Sequence, residues 1–251
     1  MRLVADIETD HFLDKMTKMH CIAAVDADDP SQTWVFGPDE IEQGIALLQS
    51  ADELIFHNGI TFDVPAIQKL DPNFSTDGLV LTDTLVLSRL IRADLLERDI
   101  RDTWADPQST FPKRLFGSHG LKAWGHRLGV LKGDFGATTD WKEWSKEMQD
   151  YCIQDVIVTH KLWKHLAPEK WSQKAIRFEH DIAELCHRIG SAGWTFNVPK
   201  SGELYAQLAL EKSSLQEELS DLFPPWSVDE EFVPKRDNKR LGYVEGEVFI
   251  K

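Results

Sequence analysis

The sequence predicts an α/β protein: a mixed sheet flanked by helices, with a helical segment after it. Three observations carry that expectation. Short apolar runs alternate with turn chemistry over the front of the chain. The first of these runs ends in two carboxylates. Past position 140 the pattern changes to long stretches with apolar residues at helical spacing.

The first strand is Leu3-Val4-Ala5-Asp6-Ile7-Glu8. Side chains at i and i+2 of a strand share a face, so Asp6 and Glu8 project together while Ala5 and Ile7 pack on the other side. Like charges held that close repel unless one is protonated or a cation sits between them, and hard divalent metals are the common cation. Taken alone, the pair reads first as a solvated strand end. Cys21 to Val25 and Thr33 to Phe36 are the next strands, joined by the turn residues Asp26 to Gln32 into an antiparallel meander. Pro38-Asp39-Glu40 opens a helix with Ile41, Ile45, Leu47 and Leu48 on its apolar face. Glu53 to His57 is a fourth strand, and a helix runs from Val64 through Ala66, Ile67 and Leu70. The order β-β-β-α-β-α matches the start of a ribonuclease-H-like mixed sheet, in which sites gather at strand ends. Asp63 follows the fourth strand and the Asn58-Gly59 turn. As a helix cap or as a ligand it fits equally well, and the two roles are compatible.

Leu79 to Leu81 is a short strand, and Asp83-Thr84 cap a helix carrying Leu85, Leu87, Leu90 and Ile91. Asp94 to Pro112 is charged and irregular, and reads as a loop or lid with no assigned role. Phe111 to His119 is basic, aromatic and glycine-containing. The helix after it carries Leu121, Trp124 and Leu128 beside Lys122, His126 and Arg127. Interleaved basic and aromatic residues suit single-stranded nucleic acid, and an amphipathic helix with a solvated basic face fits as well. Thr138 to Trp144 reads as a turn and Met148 to Leu166 as one helix. Tyr151 and Asp155 lie at i and i+4 on it, a spacing that alone is more often a surface hydrogen-bonding pair. Phe178 to Gly193 is an amphipathic helix, Gly193 to Pro199 a break, and a long helix starts near Ser201 and runs to Leu222.

Apolar residues make up 42% of the 251 and there are nine tryptophans, enough for a real core. No apolar run approaches the length of a membrane span, and the N-terminus lacks a basic region followed by an apolar stretch. The three cysteines, Cys21, Cys152 and Cys186, have no metal-type spacing and read as free thiols in a reducing compartment. The expectation is a soluble, cytoplasmic protein with no membrane partner, in the host cell's cytoplasm if viral. Lys and Arg number 28 against 42 Asp and Glu, a net charge of −14. That balance opposes strong non-specific binding to nucleic acid, but leaves room for a nuclease that grips a few nucleotides through metals.

Each acid taken singly has an ordinary explanation; their order along the chain does not. Two come from the first strand, one follows a later strand, and one lies on a late helix with a tyrosine one turn before it. In this order the chain resembles the 3′–5′ exonucleases named for their four acids, in the subgroup with a tyrosine in the third motif. Asp6-Ile7-Glu8-Thr9 is similar to the first motif, Asn58 through Asp63 to the second, and Tyr151 with Asp155 to the third. Asp150 stands where the sister subgroup has histidine. His57-Asn58-Gly59, Asp83 to Ile91, Lys113 to His119, Ala123-Trp124-Gly125 and Gln154-Asp155-Val156 further resemble the proofreading domain of short-tailed-phage family A DNA polymerases. This resemblance covers roughly the first two-thirds of the chain.

The resemblance implies an exonuclease domain over residues 1–170 and a helical segment over 171–251 similar to the start of a polymerase domain, leading into its thumb. It implies hydrolysis of the terminal phosphodiester at a single-stranded or frayed DNA 3′ end, releasing nucleoside monophosphates, with a polymerase domain or subunit as partner. It also implies two Mg²⁺ or Mn²⁺ ions. Asp6 would bridge them, Glu8 and Asp155 would complete the nucleophile-side site, and Asp63 would hold the second ion through water. Tyr151 would orient the attacking water. Phe12 would wedge between the last two bases, with core packing as its alternative. Asn58, Lys113, Arg114, His119 and Lys122 are the expected DNA contacts. No palm or fingers follow, so the chain is expected to be the front part of a larger polymerase or a subunit of a split one, and not to synthesise DNA alone. Two other readings remain, an RNA exonuclease on the same fold and a non-catalytic polymerase module.

Overall fold

The computed structural model describes all residues except 107, 131–139, 225–229, 239 and 251. By its internal contacts the chain divides into two units, Met1–Gly193 and Trp194–Lys251. The first is built on a five-stranded sheet in the order β3-β2-β1-β4-β5. Its strands are β1 (Arg2–Thr9), β2 (Met19–Asp26), β3 (Thr33–Phe36), β4 (Glu53–Phe56) and β5 (Val80–Asp83). β2 runs antiparallel to β1 and β3, while β4 and β5 run parallel to β1 and to each other. This is the ribonuclease-H-like mixed sheet that the order of elements predicts.

The alternation along β1 sorts the core into two layers. Leu3, Ala5 and Ile7 point to one face, where Ile45 and Leu48 of α1 (Ile41–Gln49) and Ala66 and Ile67 of α2 (Asp63–Leu70) cover them. Val4 points to the other face, joined by Cys21, Ala23 and Val25 of β2. That layer is closed by Leu87 and Ile91 of α3 (Thr84–Ile91), Leu121 and Trp124 of α5 (Leu121–Arg127), and Cys152, Val156 and Leu162 of α6 (Lys146–Leu166). Asp6 and Glu8 continue the Val4 face, so the carboxylate pair emerges on the α6 side of the sheet.

The charged stretch expected as a loop between Asp94 and Pro112 instead holds α4 (Leu95–Ala105). Only Leu95 and Asp99 of it are buried, and Leu96, Ile100 and Trp104 face solvent. Leu96, Ile100 and Trp104 recur at helical spacing, but that stripe lies on the solvent side and charged residues fill most positions between them. Asp99 anchors it, accepting from Arg127 Nε at 3.0 Å, Arg127 Nη2 at 2.7 Å and the Gly117 amide at 2.8 Å. The turn expected at Thr138 to Trp144 is described only from Asp140, and 138–139 lie outside the described residues.

α7 (Gln173–Ala192) belongs to the first unit, which therefore runs past position 170 to Gly193. Gly193, at φ +66°, ends α7 in a conformation that side chains strain to adopt. In the second unit α8 (Val198–Leu222) is capped by Asn197, whose Oδ1 accepts from the Lys200 amide at 3.0 Å. The tail beyond it holds a short antiparallel pair, β6 (Glu231–Phe232) and β7 (Phe249–Ile250). Phe232, Tyr243 and Phe249 cluster there, with ring centroids 4.9 to 6.1 Å apart.

Candidate active site

The site forms where β1 ends. Asp6 and Glu8 are half-buried on the α6 face, and their carboxylate oxygens and the Cys152 sulfur all lie within 4.8 Å of one another. α6 crosses behind this strand, and the Cys152 thiol donates to the Asp6 carbonyl at 3.4 Å. Burial, then contact with Cys21 and the charges of Asp6 and Glu8, push that thiol far above its ordinary range. It is therefore a protonated packing group beside the two acids. Asp155 follows one turn later on α6 and is only 5% exposed. Tyr151 is half-buried, with its ring edge-to-face against Trp141 at 6.2 Å. Trp141 is tied to the sheet by its carbonyl, which lies 2.8 Å from Nε2 of the buried His20 on β2.

Asp63 is the first residue of α2, not its cap; that position belongs to Phe62, which offers no side-chain acceptor. The carboxylate is 3% exposed and takes hydrogen bonds from the backbone of Ile7 and of Asp63 itself. Ile7 lies between Asp6 and Glu8, so this bond draws Asp63 to the carboxylate pair. Burial first, then the charges of Asp83 and Asp155, push its pKa up to about 8. The turn that delivers Asp63 is tight. Gly59 leaves no room for a Cβ, which would stand 2.3 Å from that of Phe56, and Asn58 takes a left-handed φ of 72°.

The residues expected to meet nucleic acid are spread more widely. Phe12 is 83% exposed, on a loop laced by Asp10. Burial pushes Asp10 up, but bonds from Thr17 Oγ1 at 2.5 Å and from the Thr17 and Lys18 amides at 2.9 and 3.2 Å outweigh it and bring its pKa to about 2. Lys113 and Arg114 are exposed on a single helical turn, and Lys122 is half-buried on α5. His119 lies inward, its Nδ1 2.9 Å from Ser88 Oγ. Burial, then Arg89 and Arg127, hold that imidazole below its usual pKa. Asn58 turns its side chain to its own turn, accepting from Thr61 Oγ1 at 2.7 Å.

Sequence reasoning did not single out Asp83 or Cys152 as neighbours of the acids. Asp83 was legible as a helix cap, and it does cap α3, accepting from the Leu85 amide at 2.8 Å. Nothing in the local pattern signals its closeness to Asp63.

No family model matches the chain. Over 89% of its length it is 31% identical to the DNA-directed DNA polymerases of Enterobacteria phage T3 and of Escherichia phage T7. In sequence the chain is similar to these phage DNA polymerases. The resemblance drawn from its ordered motifs therefore holds. The matched region is 37% of each phage polymerase, so the chain spans little more than a third of their length. Among solved structures, NrnC of Brucella melitensis is 18% identical with a TM-score of 0.49, over 74% of this chain and 80% of that one. The catalytic core of RRP6 from Trypanosoma brucei is 17% identical with a TM-score of 0.45, over 72% and 46%. These two likenesses add nothing to the sheet topology already described.

Proposed function

We propose that this chain is the 3′–5′ exonuclease part of a phage-type family A DNA polymerase. It hydrolyses the terminal phosphodiester of single-stranded or mismatched DNA 3′ ends and releases nucleoside monophosphates. The observation that carries this reading is the convergence at the end of β1: Asp6 and Glu8 lie side by side, with Asp63 bonded to the Ile7 backbone between them. The relation to DNA-directed DNA polymerases supplies the substrate class.

The donor set fits a pair of hard divalent ions. Asp6, Glu8, Asp63 and Asp155 offer carboxylate oxygens only, and the adjacent thiol stays protonated, which favours Mg²⁺ or Mn²⁺ over softer metals. Asp63, held protonated by burial and its acidic neighbours, is a group that a bound cation would ionise. When bound, two such ions stabilise the attacking and leaving oxygens of an in-line displacement. Tyr151 acts by position: a phenol, ordinarily titrating at about 10, is a poor base near neutrality, so its hydroxyl orients the water. The exposed Phe12 ring stacks on terminal bases, which any base satisfies. Lys113 and Arg114 meet the phosphate backbone, and the exonuclease works in the cytoplasm beside its polymerase domain.

Digestion of a 5′-labelled single strand tests this. The expected result is a ladder shortening from the 3′ end with Mg²⁺ or Mn²⁺ and stopping with chelator. A folded protein that leaves DNA intact but shortens RNA would move the assignment to an RNA exonuclease. One that cleaves neither would make it a non-catalytic module.

A further inference from the structure

Asp83 lies on β5, 2% exposed, and no step of the proposed reaction uses it. A buried carboxylate must be well satisfied to persist, and this one is. Oδ1 accepts from the Leu85 amide at 2.8 Å, which caps α3, and from the Asn58 amide at 2.9 Å. Oδ2 accepts from the Ile60 amide at 3.2 Å. Two of its three partners therefore belong to the turn that ends in Asp63. The next residue holds the same turn, since His57 Nδ1 lies 2.9 Å from Thr84 Oγ1, whose hydroxyl donates to Phe56 O at 3.1 Å. Asp83 is itself fixed from behind. Its amide donates to Nε2 of the buried His180 on α7 at 2.8 Å, and His180 Nδ1 donates to the Ile176 carbonyl at 2.8 Å.

A helix cap needs one of these bonds; the other two have no capping role. From this geometry we infer that Asp83 is a positioning residue of the exonuclease centre, clamping the Asn58–Ile60 turn so that Asp63 meets the Asp6–Glu8 pair. The inference rests on the exonuclease reading and assigns a function to a residue outside its four acids. The clamp needs a carboxylate in length and in chemistry. Serine caps a helix as well as aspartate does, but its hydroxyl is one carbon too short to reach the turn. Asparagine keeps one acceptor oxygen and turns an amide donor toward the Ile60 N–H.

The test compares the full chain with Asp83→Ser and Asp83→Asn, measuring Mn²⁺ binding without DNA by electron paramagnetic resonance and exonuclease kinetics with DNA. Groups supporting metal ligands are typically worth about 10–100-fold in affinity. Asp83→Ser is expected to weaken Mn²⁺ binding about tenfold and raise the metal concentration for half-maximal rate in parallel. KM for the oligonucleotide should stay unchanged, and hydrogen exchange should quicken over residues 57–63. Asp83→Asn should fall between. If Asp83→Ser keeps its fold and binds Mn²⁺ like the parent, the carboxylate is a helix cap only and the inference is overturned. If Asp83→Ser does not fold, Asp83→Asn decides by the same comparison. A parent chain that neither binds Mn²⁺ nor degrades DNA would remove the exonuclease reading, and this inference with it. A parent that does both beside an unaltered variant removes the inference alone.

Discussion

Asp63 links burial to pH. Its pKa in the fold, about 8, stands far above the 3.8 of an unburied aspartate. A carboxyl raised in this way favours the fold fully below its unfolded pKa, and that contribution is lost as pH rises through the folded value. The metal-free chain should therefore lose stability between about pH 4 and pH 8, by an amount on the order of a few kcal/mol. Asp63→Asn should remove most of that slope and raise Tm at pH 8, and Mn²⁺ should raise the parent's Tm there by more than the variant's. Thermal melts across that pH window, with and without metal, check all three. Tyr151→Phe deletes one hydroxyl from a ring already held by Trp141. Single-turnover rates should fall roughly 100-fold, the scale of a misplaced reacting group, with KM and Tm unchanged.

At the scale of elements, Arg127 ties down the basic segment from Phe111 to His119. Arg127 pairs with buried Asp99, donates to the Ser118 carbonyl at 2.7 Å, and lies 5.1 and 5.0 Å from the Phe111 and Trp124 ring centroids. Arg127→Met would leave Asp99 buried without its partner, a loss of about 3–5 kcal/mol. Asp94→Ala, which breaks the exposed pair with Arg98, should change stability by less than about 1 kcal/mol. Denaturant unfolding of the two variants separates these cases. The same elements show what sequence can express. β1 was legible because a period of two fixes which side chains share a face, and Tyr151 with Asp155 because a period of 3.6 does the same on α6. α4 was less legible: Leu96, Ile100 and Trp104 stand at helical spacing, but charged residues fill most positions between them, and a buried ion pair anchors the helix. The contact between Asp83 and His180 was not legible, since the two are 97 residues apart and leave no periodic trace.

At the scale of the whole molecule, charge and architecture set what the chain does well. A net charge of −14 repels DNA, so the proposed exonuclease would have to hold its substrate through a few local contacts and through metals. KM for a single strand should rise steeply with salt. The double substitution Lys113→Ala and Arg114→Ala should raise KM several-fold at low salt and flatten that dependence, leaving kcat unchanged. Steady-state rates from 20 to 200 mM salt test this. The most direct test of the central claim is digestion of a mismatched 3′ primer by the parent and by the Asp6→Ala, Glu8→Ala double variant, in Mn²⁺ and at matched folded fraction. Loss of both carboxylates removes several kcal/mol of charge stabilisation, so cleavage should fall by about a thousandfold or more. A double variant that stays folded and releases mononucleotides at the parental rate would contradict a catalytic centre at the end of β1.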